Sequence, residues 1–353
     1  MLAVAQQIID ADGHVLENTA EIADFLEAPY TGANHLYGVY GLWPSLDGYN
    51  RAALGMKYKL NQPLTNAKLV GEMLDFIDCS RAVLYPTAGL AHGLIRDTQW
   101  SVALARAYNN WIHERYCKAD GRFRFVALLP LQDPSAAAEE LRRCVTELGA
   151  VGGMLNGAGL TLPLGAAAFA PLYAEADRLG TALVCHAGSA AALPDGFTTF
   201  TQVFVLTHPV AQMTQMVSMF QAGVIDRFPN IRFGFFEAGM SWVPHVVGRL
   251  ERTIKIAGLE SEPAYAVAQR KTAREHIRSG RIFFSLEGDE PLIGAIQDYL
   301  GADCLCFASD FPHENATFAK VRHEMDEIGE LEGVSESARA GMLGGNAARL
   351  YNF

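Results

Sequence analysis

Eight short apolar runs recur along the chain, at residues 7–12, 81–85, 123–129, 151–155, 182–186, 231–237, 282–286 and 304–309. Longer amphipathic stretches separate or follow them, at 66–79, 97–119, 134–148, 164–179, 210–228, 241–256, 290–300 and 315–328. Apolar runs of this length read as strands buried on both faces. Alternation with helices calls for crossover connections, and therefore for parallel pairing. Eight such units predict one α/β domain over residues 1–353, a single (β/α)8 TIM barrel, since barrels of this kind use such a length as one domain. Asp133 before Pro134 is a typical helix start, with a capping carboxylate and a proline whose missing N–H costs nothing there.

One segment breaks the rhythm. Residues 15–65 form a long insertion after the first strand, where barrel connections usually take ~2–6 residues. They carry Phe25, Tyr30, Tyr37, Tyr40, Trp43, Tyr49 and Tyr58. Because the segment leaves the C-terminal edge of a strand, where barrel active sites sit, it is expected to act as a lid, with Trp43 a candidate substrate contact. The competing reading is a packed excursion that caps the barrel bottom or builds an oligomer contact.

Polar residues concentrate at the strand ends. Asp10, Asp12 and His14 alternate along the first run, so they are expected on one face at its C-terminal end. The fifth run ends in His186 and the eighth in Asp310. A strand exit with Asp and His can simply solvate a turn. Three separate strands each delivering a metal-type donor to the same edge point instead to a metal site.

Charge and cysteine usage narrow the class. The formal net charge is −11 and only 19% of residues are charged, with no basic stripe to neutralise phosphates, which argues against a nucleic-acid partner. The six cysteines lack C-x-x-C spacing and read as reduced core residues. No run approaches the ~18 apolar residues of a membrane span, and no basic leader precedes the first strand, so a cytoplasmic protein is expected.

Several motifs together resemble one family. They are Asp12-Gly13-His14, Cys185-His186-Ala187-Gly188, the stretch from Gly223 to Phe233, the stretch from Glu237 to Pro244, Ser309-Asp310-Phe311-Pro312-His313, and the closing run from Gly345 to Tyr351. The chain is similar to the amidohydrolase-related group of metal-dependent barrels, which includes aminocarboxymuconate semialdehyde decarboxylase and the γ-resorcylate and 5-carboxyvanillate decarboxylases. The resemblance implies a mononuclear site of Asp12, His14, His186 and Asp310 holding one divalent ion per subunit, Mn²⁺ or Zn²⁺, with the charge of Asp12 tilting the choice toward Mn²⁺. It implies a metal-dependent carboxy-lyase acting on an aromatic or unsaturated carboxylic acid, with Asp310 as the acid that protonates carbon. A homodimer or larger homo-oligomer is implied too.

One departure keeps a second reading open. Many decarboxylases of the family carry H-x-G-E after strand six, whereas this chain has Glu237-Ala238-Gly239-Met240. Glu237 could activate water, which would make the protein a hydrolase of an amide, lactone or C–C bond, with Asp310 as base toward metal-bound water. A non-catalytic binder on a barrel scaffold is the third reading. His208, in a Thr-His-Pro turn, is a candidate catalytic or structural residue. His313 is expected to orient the loop after Asp310 and to meet substrate. Arg249 matches a position where relatives place an arginine near the substrate carboxylate, sometimes from a neighbouring subunit; an outer-helix ion pair with Glu251 or Asp226 is the alternative. His245 could touch ligand, His35 and His92 could line the pocket from loops, and His113, His276 and His323 are expected on solvated outer helices. Asn156 and Glu287 are inward candidates without an assigned role.

Overall fold

The computed structural model describes residues 7–32, 34–58, 65–188, 199–254, 271–313 and 316–353. Its strands are β1 (Ile9–Val15), β2 (Arg81–Pro86), β3 (Phe123–Leu128), β4 (Gly152–Asn156), β5 (Ala182–His186), β6 (Arg232–Phe236), β7 (Ile282–Leu286) and β8 (Leu305–Phe307). They pair in sequence order, each parallel to the next, as one eight-stranded sheet. Side chains on both faces are buried, as the continuous apolar runs require: Phe125, Val184, Phe233, Phe236, Phe283 and Phe284 have almost no exposed surface. Each such side chain contributes roughly 1.5–3 kcal/mol of transfer free energy. The (β/α)8 barrel expected from the alternation is the fold observed.

Closure of the barrel between β8 and β1 uses few backbone bonds. The Asp310 amide donates to the Asp12 carbonyl at 3.1 Å and the His14 amide to the Phe311 carbonyl at 2.8 Å. A side chain completes the seam. The buried Asp10 carboxylate accepts the Ser309 hydroxyl at 2.6 Å, the Ser309 amide at 3.0 Å and the Asp12 amide at 3.2 Å. Asp10 can do this because the register of β1 against β2 slips between Asp10 and Gly13, a β-bulge that interrupts the alternation. The expectation that Asp10, Asp12 and His14 share one face is therefore corrected: Asp10 serves the seam and only Asp12 and His14 face the site. The C-terminus braces the same bulge, since the Tyr351 hydroxyl donates to the Ala11 carbonyl at 2.8 Å and lies 2.7 Å from the Tyr85 hydroxyl.

Among the described residues the insertion forms three short helices, α1 (Thr19–Ala23), α2 (Asn34–Tyr40) and α3 (Arg51–Tyr58), and α4 (Ala67–Phe76) follows it. Its base is pinned where the Leu16 amide donates to the Thr65 hydroxyl at 2.7 Å. Residues 33 and 59–64 of it lie outside the described residues. The next helices are α5 (Thr98–Ile112), α6 (Pro134–Arg143), α7 (Ala170–Leu179), α8 (Phe200–Gln221), α9 (Val224–Arg227) and α10 (Trp242–Ile254), with Ile293–Leu300 and Phe318–Glu330 after β7 and β8. Residue 315 and residues 255–256, expected at helix ends, lie outside the described residues.

Two expected helix starts are corrected. The helix predicted from residue 164 begins at Ala170, because the Leu164 and Gly165 amides are held instead by Gln215 and Ser218 of α8, so close that a Cβ on Gly165 would collide with the Ser218 carbonyl. The helix predicted from residue 210 begins at Phe200 and runs through Pro209. Proline disfavours helix in the preceding residues, so the sequence signal stops at 210, yet a capping box of Thr199 and Gln202 starts the helix upstream. His208 therefore sits inside α8 and not in a turn.

Candidate functional site

Four expected donors meet at the C-terminal mouth of the barrel. Asp12 Oδ1 lies 3.2 Å from His186 Nε2 and 3.5 Å from His14 Nε2, and His14 Nε2 lies 3.6 Å from Asp310 Oδ1. All but Asp310 are buried. Asp310 reaches the point by a sharp exit from β8, with φ of 48°, a left-handed conformation that Asp tolerates better than most residues.

The hydrogen bonds fix how these groups present themselves. His14 Nδ1 donates to the Pro86 carbonyl at 3.0 Å, which leaves Nε2 as a lone pair turned inward. Among the described residues that nitrogen is fully buried with no hydrogen-bond partner. Burial, with His313 and His186 adding to it, holds the His14 imidazole well below its ordinary pKa, hence neutral. His186 Nδ1 lies 3.0 Å from the Ala187 carbonyl and 3.1 Å from Glu237 Oε2, which turns Nε2 toward Asp12. Burial pushes the Asp12 carboxyl up. Burial alone would lower His186, but the carboxylates of Asp12 and Glu237 outweigh it and raise that imidazole to about 9. The pocket demands positive charge at its centre. The donors form two groups that share His14, Asp12–His14–His186 and His14–Asp310–His313, and imidazole nitrogens with carboxylate oxygens at such spacing suit a divalent cation.

Around these donors stands a second ring of contacts. His313 Nδ1 lies 2.7 Å from Asp310 Oδ1, and its Nε2 lies 2.8 Å from the Thr87 hydroxyl, so the ring is tied at both ends. Glu237, at the exit of β6 with φ of 59°, has its amide bound to the Ser285 hydroxyl at 2.8 Å. The Tyr85 ring underlies the site, with centroids 5.1 Å from His186 and 6.0 Å from His14.

Above the donors opens a cavity of about 510 Å³, walled by Leu16, Trp43, Leu46, Tyr49, Leu90 and Ala91, with Glu17, Asp47, Thr87, His208, Glu237 and His313 among its polar lining. Residues 43–50 of the insertion thus form a wall of the mouth, on the side of the barrel opposite to a bottom cap. The Glu17 carboxylate is fixed by the amides of Ala88 and Gly89 at 2.9 and 2.8 Å.

Other expected residues fall elsewhere. Arg249 and His245 are exposed on α10, outside the cavity lining of their own subunit. His35 is exposed on α2. His92 is buried behind the cavity and not in its lining, where it bonds Trp43. His276, expected on a solvated face, is buried with Nε2 3.0 Å from Asp226 Oδ1. Asn156 donates to the carbonyls of Gly89 and Leu90, bracing the turn after β2. Sequence reasoning gave no role to Glu17, Thr87 or Tyr85. Only the neighbourhood of strand-end turns could have flagged the first two, and nothing in the sequence distinguishes Tyr85 from a core aromatic.

Among the described residues, no helix is long and apolar enough to cross a membrane. The amidohydrolase family pattern matches residues 77–353. γ-Resorcylate decarboxylase of Rhodococcus jostii is 29% identical over 275 residues, covering 73% of this chain and 79% of that protein. 2-Amino-3-carboxymuconate-6-semialdehyde decarboxylase of Dictyostelium discoideum is 26% identical over 267 residues, covering 74% and 70%. A structure of 2,6-dihydroxybenzoate decarboxylase complexed with 2,6-dihydroxybenzoate superposes with a TM-score of 0.71 at 21% identity, over 99% of this chain and 100% of that one. A 5-carboxyvanillate decarboxylase of Novosphingobium aromaticivorans with bound manganese gives 0.74 at 19% identity, over 99% and 98%. Asp12 and His14 precede the matched segment, and it is the barrel seam that carries them to Asp310. A family pattern that runs from residue 77 to the last residue, on a barrel of the same fold, establishes that this chain belongs to the amidohydrolase family.

Proposed function

We propose that the protein is a metal-dependent, non-oxidative decarboxylase of an aromatic carboxylic acid. The observation that carries this reading is that two donor groups sharing His14, namely Asp12–His14–His186 and His14–Asp310–His313, lie at the barrel mouth, the second reaching through His313 into a cavity walled in part by Trp43 and Tyr49. The decarboxylase names of the relatives support it. These four residues would hold one divalent ion, with Mn²⁺ favoured over Zn²⁺ by the two carboxylates and by the manganese in related structures. When bound, such an ion supplies the positive charge that receives the substrate carboxylate and a neighbouring oxygen.

The chain's own residues then have distinct tasks. Asp310 gives its proton to the ring carbon that bears the carboxylate. The C–C bond breaks, its electron pair returns to the ring, CO₂ leaves, and a solvent proton restores Asp310. His313, tied to Thr87, orients Asp310. Glu237 lies on the Nδ1 side of His186 and holds that imidazole in place, in the manner of a carboxylate supporting a ligand histidine. Trp43 and Tyr49 pack the ring, His208 bounds the cavity from α8, and the 15–65 insertion acts as the lid. Arg249 serves the substrate carboxylate across a subunit contact in a homo-oligomer, since it is exposed on its own subunit.

The hydrolase reading has one observation in its favour: Glu237 lines the cavity. Isotopes separate the two. Turnover of hydroxybenzoates in D₂O is expected to release CO₂ and leave deuterium on the vacated ring carbon, and Asp310→Asn is expected to lose nearly all of it. Appearance of ¹⁸O from labelled water in a carboxylate product, abolished by Glu237→Gln, would overturn the decarboxylase reading.

A further inference from the structure

The Trp43 indole N–H, on the cavity wall, donates to Nδ1 of His92 at 3.2 Å. His92 belongs to the turn Ala88–Leu94 that follows β2, and none of its surface is exposed. Its other nitrogen lies 2.9 Å from the Ser101 hydroxyl on α5. Ser101 in turn donates to Gln132 Oε1 at 2.6 Å, and the Gln132 amide donates to the carbonyls of His92 and Ile95 at 2.6 and 3.1 Å. One proton assignment satisfies every member of this chain: Nε2–H donates to Ser101, and the Nδ1 lone pair receives Trp43. Burial pushes the His92 imidazole down to about 3, so the ring stays neutral in that tautomer.

A second indole bond lies one residue away. Trp100 Nε1 of α5 donates to the Leu42 carbonyl at 3.3 Å, and the Trp100 ring stacks on Tyr37 at 5.4 Å. Residues 42 and 43 are therefore pinned to the barrel from two sides. Past the pin, the strip from Pro44 to Asn50 continues along the mouth, where the Tyr49 ring meets Phe200 of α8 at 5.7 Å.

We infer that His92 is a positioning residue that sets the orientation of the Trp43 indole, and with it the room left in the cavity for substituents on the substrate ring. His92 touches no metal donor and does not line the cavity, so its effect passes through Trp43. The statement about ring substituents rests on the decarboxylase reading; the orientation of Trp43 does not.

The experiment has two arms. The metal-loaded protein is labelled with 5-fluorotryptophan at its four tryptophans, and Trp43→Phe assigns the Trp43 fluorine resonance. His92→Leu removes the acceptor at similar volume, whereas His92→Asn returns an oxygen near the place of Nδ1. The Trp43 resonance is expected to move in His92→Leu and to return toward the wild-type position in His92→Asn, at equal metal content. In the second arm, kcat/KM is compared for 2,6-dihydroxybenzoate and its 4-methyl derivative. His92→Leu is expected to change that ratio by about 10-fold, the scale of one methylene in an apolar pocket, with His92→Asn restoring it.

An unmoved resonance in His92→Leu overturns the proposal, and so does a moved resonance with an unchanged ratio. If His92→Leu does not fold, Ser101→Ala carries the same test, because it removes the hydroxyl that seats the Nε2–H side of the ring and so frees the orientation of Nδ1 toward Trp43. A wild-type holoenzyme that neither binds nor decarboxylates either acid would sink the decarboxylase reading, while the fluorine resonance still decides the role of His92.

Discussion

Replacing Ser309 by alanine should open the barrel seam. Its hydroxyl donates to Asp10 Oδ2 at 2.6 Å and accepts the Phe311 amide at 3.1 Å, and all three residues are buried. Loss of a hydrogen bond to a buried carboxylate costs roughly 1.5–3 kcal/mol, and a buried N–H left unmet adds about 1 or more. The expected penalty is therefore about 3 kcal/mol, or about 10²-fold in the opening equilibrium. It falls on a seam with few other bonds, because β8 ladders with β7 while its link to β1 rests on the Asp310 and His14 amides and on Asp10. Hydrogen exchange read by mass spectrometry on peptides covering residues 7–15 and 304–313 should show the acceleration, with peptides from β3 and β4 unchanged. Exchange within about twofold of wild type at the seam would refute the reasoning, since it would mean that other contacts carry the closure.

Three further outcomes follow from the geometry. His186→Ala should lower metal affinity beyond the ~10–100-fold typical of losing a supporting group; full metal content by elemental analysis with normal turnover would reject the site. Tyr351→Phe, which removes the hydroxyl bracing the bulge at Ala11, should weaken metal binding by about 10-fold in a chelator competition, and an unshifted midpoint would assign that hydroxyl to stability alone. For His92 the folded pKa, about 3, lies below the unfolded value of 6.5. Its contribution is thus present above pH 6.5 and lost on acidification, at about 1.4 kcal/mol per pH unit between those values. His92→Asn should accordingly flatten the acid limb of stability measured by urea unfolding, and an unchanged slope would count against a buried neutral imidazole.

The strands were legible because burial on both faces writes a continuous apolar run, and β7 falls at the residues expected, Ile282–Leu286. That Asp12, His14, His186 and Asp310 lie at one edge was legible for a related reason: in a parallel barrel all strand exits share one edge. The bulge was not. A single extra residue in β1 leaves no mark in the residue types, yet it turns Asp10 from the site to the seam. His208 was misplaced because a proline signals a helix boundary locally, whereas the capping box of Thr199 and Gln202 starts α8 upstream of Pro209. His92 and His276 were read as loop and surface residues because their partners, Trp43 and Asp226, lie 49 and 50 positions away. Such pairings exist only after the chain has folded.

The seam also has a meaning for biosynthesis. Asp10 and Ser309, which close the seam, are 299 positions apart, so Asp12 and His14 are synthesised long before Asp310. A ribosome-bound chain that has exposed Asp12, His14 and His186 still lacks Asp310, together with the Tyr351 hydroxyl that braces the first strand. On the proposed metal reading, high-affinity capture would then await Asp310, and a chain that stops short of that residue would compete poorly for the ion.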